Sequence, residues 1–288
     1  MCVACAFAFA GACGSSSGQT FAPGGDGGGV DAGVESGTTG DAGTASDASS
    51  HDAPPGDAGS LLGDGGTVES GACNQLRIGI LGNPGANPSS DFQKWLVSAG
   101  TSVQRIQTTA PTPALDAPTL QAFDVVILDW LTRDYSPAEA AVLGSFLQAG
   151  GGLVSMSGYD NVTTDDWHAN SLLAPLAVAY QGPLLNGPVT SFATHPITQG
   201  LTSVTFAGGY EVGDLGGTAS TRTAIAFLPG PINVAYAVQY GAGHAFVWGD
   251  EWIEFDSEWS TLPEIKQLWV QVFAWISPPN TCGLHPPQ

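Results

Sequence analysis

Basic residues are scarce in this chain. Six Lys and Arg face 26 Asp and Glu over 288 residues, a formal charge of −20. Binding nucleic acid needs a basic face to meet the phosphates, so this balance argues against nucleic acid as a partner and against adsorption to anionic lipid. The scarcity is uneven. Residues 1–72 contain no Lys or Arg, yet hold 18 of the 40 glycines and nine of the acids. A segment without large apolar side chains cannot offset the entropy of ordering, so a packed core is confined to about residues 73–282. Residues 283–288 read as a tail.

Long apolar runs are also missing. The first twelve residues, Met-Cys-Val-Ala-Cys-Ala-Phe-Ala-Phe-Ala-Gly-Ala, are small or apolar but too few to span a bilayer as a helix. Ala10-Gly11-Ala12 precedes Cys13, and Gly-Ser-Ser-Ser-Gly follows. This resembles a bacterial lipoprotein signal in which Cys13 is acylated, although it has no basic start and Ala stands three residues before the cysteine where Leu is usual. The alternative is an uncleaved apolar tail. The lipoprotein reading implies a protein of the bacterial cell envelope, held at the outer membrane or cell surface through its lipid alone.

Residues 14–72 are then a tether of Gly, Ala, Ser, Thr and Asp, with Asp-Ala-Gly recurring at 31–33, 41–43 and 57–59. Its root-mean-square reach is on the order of 40 Å by the flexible-linker relation, and like charges extend it. The Asp-Gly runs are too irregular to repeat a calcium ligand set.

Cysteine is sparse: five residues, three of them before position 14. If Cys2 and Cys5 leave with the signal and Cys13 carries lipid, Cys73 and Cys282 remain, one at each end of the presumptive domain. In an oxidising compartment a bond between them would close nearly the whole domain, worth about 4 to 5 kcal/mol by chain entropy. Two unrelated free thiols are the alternative.

Inside residues 73–282, strand and helix signals alternate. Arg77-Ile-Gly-Ile-Leu-Gly82, Val103–Gln107, Phe123-Asp-Val-Val-Ile-Leu128 and Leu153–Ser157 read as strands, and the continuous apolar runs suit parallel strands covered on both faces. Phe92, Trp95, Leu96 and Ala99 mark a helix stopped by Gly100. A second helix opens on the capping box Ser136-Pro137-Ala138-Glu139 and ends at Gly150-Gly151-Gly152. With right-handed crossovers this order predicts an α/β, doubly wound, mostly parallel sheet with the first strand central.

The second half predicts a short helix over 170–180 and turns over 189–206. Strands follow at Thr223–Leu228, Val234–Tyr240 and His244–Trp248, the last two joined as a hairpin through Gly241-Ala242-Gly243. A closing helix starts at the capping box Thr261-Leu-Pro-Glu264 and buries Ile265, Leu268, Trp269, Val272, Phe273 and Ile276.

Phe123-Asp-Val-Val-Ile-Leu-Asp129, Phe146-Leu-Gln-Ala-Gly-Gly-Gly-Leu-Val154 and His195-Pro-Ile-Thr-Gln-Gly-Leu201, in this order, resemble the class I glutamine amidotransferase-like superfamily, nearest its ThuA-like (trehalose-utilisation) branch. The resemblance covers about residues 76–277 and implies a flavodoxin-like sheet with any site above the carboxyl ends of its strands. The amidotransferases require a Cys on the turn after the fourth strand and a His two residues before a Glu after a late strand. Ser157-Gly158-Tyr159 and Gly249-Asp250-Glu251 stand there instead. Without thiol or imidazole at these positions, glutaminase chemistry is not expected, and Ser157 without a nearby base stays an unactivated alcohol.

Acids and rings gather at that edge: Asn83, Asp129, Trp130, Ser157, Tyr159, Asp160, Asp250, Glu251 and Trp252 are the candidate binding residues. Rings stack on the apolar faces of sugars while carboxylates accept from hydroxyls, so carbohydrate is one ligand class. A divalent cation such as Ca²⁺ is the other, and no further cofactor is expected. The competing reading makes the rings core and the acids a solvated rim. His195 reads as a loop cap more than a ligand, and His168 as an exposed loop residue. Two functions stay open: an exported, lipid-anchored, non-catalytic binding module, or an extracellular glycan hydrolase using Asp129, Asp250 or Glu251.

Overall fold

The computed structural model describes residues 73–82, 90–106, 114–158, 167–261 and 263–284. Cys13, the tether 14–72, Asn83, Tyr159 and Asp160 lie outside the described residues.

Four strands build the first half: β1 (Arg77–Leu81), β2 (Ser102–Ile106), β3 (Val125–Leu128) and β4 (Gly152–Met156). β3 and β4 are buried at every residue, as their unbroken apolar runs require of strands covered on both faces. Helices α1 (Ser90–Ser98), α2 (Ala117–Gln121) and α3 (Pro137–Gln148) connect them. α3 starts where its capping box predicts: Glu139 N–H donates to Ser136 Oγ at 3.3 Å, and Ser136 N–H donates to Glu139 Oε2 at 2.8 Å. α2 was not legible, because its five residues lie inside a Pro-rich crossing; Asp116 caps it by accepting from Thr119 N–H at 2.9 Å.

The second half departs further from expectation. α4 (His168–Leu173) is followed by a 3-10 turn, Ala174–Leu176, and then by β5 (Val178–Asn186), so the helix expected to reach residue 180 turns into a strand. The break falls at Ala177, whose φ of 56° ends helical hydrogen bonding. β5 pairs antiparallel with β7 (Ala207–Asp214) as a separate two-stranded sheet. β6 (Ser191–Phe192), β8 (Thr221–Leu228), β9 (Ile232–Tyr240) and β10 (Gly243–Trp248) join the main sheet. α5 (Asp256–Thr261) and α6 (Pro263–Ile276) close the fold; the Thr261 side chain of the expected cap lies outside the described residues.

Strand order in the main sheet is β2-β1-β3-β4-β10-β9-β8-β6. The first five are parallel, and β9, β8 and β6 continue antiparallel. This is the flavodoxin-like, doubly wound arrangement. β1 is interior but not central, since the hairpin arm lengthens only the β4 side. β9 and β10 meet through Gly241, whose φ of 63° supplies the left-handed residue such a turn needs.

Two cores cover the two faces. Phe92, Trp259, Trp269 and Phe273 pack with α1 and α6 on one side, and Leu143, Leu147, Leu173 and Tyr180 with α3 and α4 on the other. At the amino edge of the sheet the two ends of the domain meet: Asn74 bridges Thr281, Cys282 N–H donates to Asn74 C=O at 2.9 Å, and Cys73 is disulfide-bonded to Cys282. Among the described residues no helix is long and apolar enough to cross a membrane.

Candidate functional site

In an open parallel sheet the loops leave a crevice at the carboxyl ends of the strands. Here those ends carry Asp129 and Trp130 after β3, Ser157 and Gly158 after β4, and Gly249-Asp250-Glu251 after β10. The acids among them have different fates.

Asp129 is turned inward. It is fully buried, its Oδ2 accepts from Arg105 Nη1 at 2.9 Å, and it hydrogen-bonds the buried carboxyl of Glu254. Burial pushes its pKa up, opposed by the hydrogen bond to Glu254 and by the Arg105 charge. Two carboxyls beside one guanidinium are electroneutral only when one keeps its proton, so the cluster is a proton-sharing pair with a cation against it.

Asp250 is also buried and spoken for. Its Oδ2 accepts from Ala207 N–H at 2.5 Å and its Oδ1 from Trp252 N–H at 3.0 Å. Burial raises its pKa to about 7; the two N–H groups pull it down and the Glu258 charge adds to the rise. The side chain ties the start of β7 to the loop after β10.

Glu251, Ser157 and Trp130 do come together. With His168, Leu131, Met156 and Ala169 they line a crevice of about 10 Å³, the room one water molecule needs. Gly158 makes this possible: a Cβ there would stand 2.7 Å from the Glu251 carboxyl carbon and 3.0 Å from Oε2, so the carboxylate occupies space that any other residue would fill. Trp130 enters at φ 49°, a left-handed backbone uncommon for a bulky residue. Trp252 does not share the crevice; its ring rests on Phe255 at 4.8 Å. Asn83, Tyr159 and Asp160 lie outside the described residues.

His168 corrects the sequence expectation. It is the first residue of α4, four-fifths buried, with Nδ1 2.8 Å from Asp134 Oδ1, and it is among the residues that line the crevice. Nothing local in the sequence signals this, because the contact with Asp134 joins residues 34 apart in the chain. Arg105 and Glu254 were missed too, though an arginine inside a strand of so acidic a chain was a usable hint. His195 caps a backbone N–H: its Nδ1 accepts from Ile197 N–H at 3.2 Å. Its ring and that of His244 pack on Trp275, at 4.9 and 4.4 Å, and burial lowers both pKa values.

A wider groove of about 680 Å³ runs along Thr190–Leu201 beside the β6 edge. Among the described residues His195 and no carboxylate line it, so they supply none of the charged groups expected of either ligand class. Among the described residues no three His, Cys, Asp or Glu side chains gather as a metal site would require.

No family model and no curated protein matches the chain. Among solved structures it is similar to the mmIFT52 N-terminal domain (TM-score 0.54, 16% identity, 73% of this chain and 100% of that one). It is also similar to the cytoplasmic protein STM3548 from Salmonella typhimurium (TM-score 0.51, 13% identity, 70% and 99%). A ThuA-like protein from Bacteroides uniformis superposes at TM-score 0.45 and 13% identity over 70% of this chain and 91% of that one. At such identities the first two likenesses show the fold and nothing of activity.

Proposed function

We propose that the chain is an exported ligand-binding module on an amidotransferase-like fold, tethered through a lipid on Cys13, and that its ligand is a hydroxylated molecule of carbohydrate type. The observation that carries the reading is the meeting of Trp130, Ser157 and Glu251 in one crevice at the carboxyl end of the sheet. Glu251 accepts from a hydroxyl and Trp130 supplies an apolar wall. A crevice with room for one water admits one group of a ligand, so recognition is of a terminal group.

The glutaminase reaction is not part of this reading. A thiol is replaced by Ser157, and the position for its imidazole is Gly249. The hydrolase using Asp129 or Asp250 is disfavoured, because both are buried and committed to intramolecular donors. Calcium is disfavoured as well, since among the described residues Glu251 is the one carboxylate that lines the crevice. The Cys73–Cys282 bond supports an oxidising destination, consistent with export.

The test titrates the full-length protein with cello-, xylo- and chito-oligosaccharides, following tryptophan fluorescence. At least one series should saturate, with Glu251→Gln weakening it about tenfold or more at unchanged melting temperature. No saturation with any series, or equal affinity in the variant, would sink the reading.

A further inference from the structure

His195 and His244 rest on the same indole, Trp275, and use their rings in opposite ways. His195 stands before the 3-10 turn Pro196–Thr198, and its Nδ1 accepts from Ile197 N–H at 3.2 Å. His244, near the start of β10, donates to the Trp275 carbonyl, one of the last carbonyls of α6. Those last carbonyls have no partner within their own helix. A proton added to His244 keeps its bond and suits the negative end of α6. A proton added to His195 sets N–H against N–H, and the cap is lost. Turning the ring over places a C–H there instead, so a charged imidazole cannot accept in either orientation.

The same turn walls the groove of about 680 Å³, which His195, Pro196, Thr198 and Gln199 help to line. Other ties hold it down. Ile197 is wholly buried, Thr198 Oγ1 donates to Ala193 C=O at 2.6 Å, and Gln267 and Gln271 of α6 donate to Gln199 C=O at 3.0 and 2.6 Å. None of these groups titrates. Residues 189–204 contain no Asp, Glu, Lys or Arg, and the charged residues of α6, Glu264 and Lys266, lie near its start, far from Trp275. Among the described residues the titratable group that faces His195 is therefore His244 of β10. Burial, and then the His244 charge, hold the His195 pKa below its ordinary value.

We infer that His195 is an acid-sensitive latch: protonation of its imidazole uncaps the Pro196–Thr198 turn and reshapes the rim of the groove. The latch is independent of the binding reading, since β10 begins at the amino edge of the sheet, opposite the crevice. The closed turn takes up a proton less readily than an open turn whose imidazole stands in water. Closure is therefore favoured above about 6.5 and loses ground as pH falls below it. One pH unit below 6.5 the open turn gains at most about tenfold. Ile197 stays buried throughout, which keeps the change local.

The test follows amide hydrogen exchange of the full-length protein at about pH 7.5 and about pH 5.5, corrected for intrinsic rates. The readout is local because Asp250 titrates at about 7 in the same range. Protection at Ile197 and Thr198 should fall several-fold at the lower pH, up to about tenfold, while the amides of α6 keep theirs. His195→Asn supplies an oxygen that accepts from Ile197 N–H at either pH, so its protection should not change. His244→Gln keeps a donor for the Trp275 carbonyl and should keep the response. Protection that is independent of pH in the wild type, or an equal response in His195→Asn, would overturn the latch. Loss of the response in His244→Gln would overturn it too, by moving the sensor to His244. If His195→Asn does not fold, the wild-type His195 ring resonance decides: titration at or above about 6.5 overturns the latch, and titration below it supports the latch.

Discussion

Gly209 of β7 and Gly249 after β10 cross backbone against backbone. A Cβ on Gly249 would lie 2.0 Å from the Tyr210 carbonyl oxygen, and one on Gly209 would lie 2.4 Å from the Gly249 carbonyl oxygen. Tyr210 N–H donates to Gly249 C=O at 2.7 Å, locking the contact. The crossing brings the two-stranded sheet onto the end of β10.

Gly249→Ala should therefore be costly. The obstructing atoms are backbone, which cannot rotate aside as a side chain can, so a loss of about 3 kcal/mol is expected from overpacking. Gly249→Ala as stable as wild type in urea denaturation would mean that the crossing is not as close as described.

Arg105→Ala should destabilise by about 3 to 5 kcal/mol, because it removes the cation from a buried carboxyl pair. The loss should shrink as pH falls and both carboxyls of Asp129 and Glu254 hold protons. Equilibrium unfolding at neutral and acid pH checks both parts.

Stability should fall as pH rises through the range from about 4 to about 7. Asp250 has a folded pKa raised from 3.8 to about 7, so in this window the folded chain keeps a proton that the unfolded chain has lost. Asp129 is shifted in the same direction. Glu139 acts oppositely. Its contact with Arg133 holds it near 2, so its contribution is present above about 4.5 and fades as pH falls towards 2. Asp250→Asn should lose one acceptor at low pH yet flatten the slope between 4 and 7; a slope unchanged in this variant would assign it to other groups.

Reducing Cys73–Cys282 should lower the melting temperature by about 10 °C without unfolding the domain. The bond joins residues 209 apart in sequence, for which chain entropy gives about 5 kcal/mol. The Asn74–Thr281 bridge and two cores persist without it. Near-ultraviolet circular dichroism that collapses on reduction would contradict this.

Sequence periodicity alone determined the parallel half of the sheet. Apolar runs such as Val125–Leu128 have one stable solution, burial between two helical layers, and the Ser136 capping box and Gly100 stop mark helix ends through local hydrogen bonds. The closing helix and the β9–β10 hairpin were legible for the same reason. β5 and β7 were not, because the Gly-rich β7 carries little periodicity and Ala177, just before β5, reverses a helical signal through its backbone angle alone. At the carboxyl edge, sequence located Asp129, Ser157, Asp250 and Glu251 at strand ends but gave no direction to their side chains. Tertiary structure decided that Asp129 meets Arg105 and Glu254, that Asp250 ties down Ala207, and that His168 and Asp134 meet. Those outcomes depend on contacts between residues far apart in the chain, where burial and hydrogen-bond satisfaction, not local propensity, choose each carboxylate's partner.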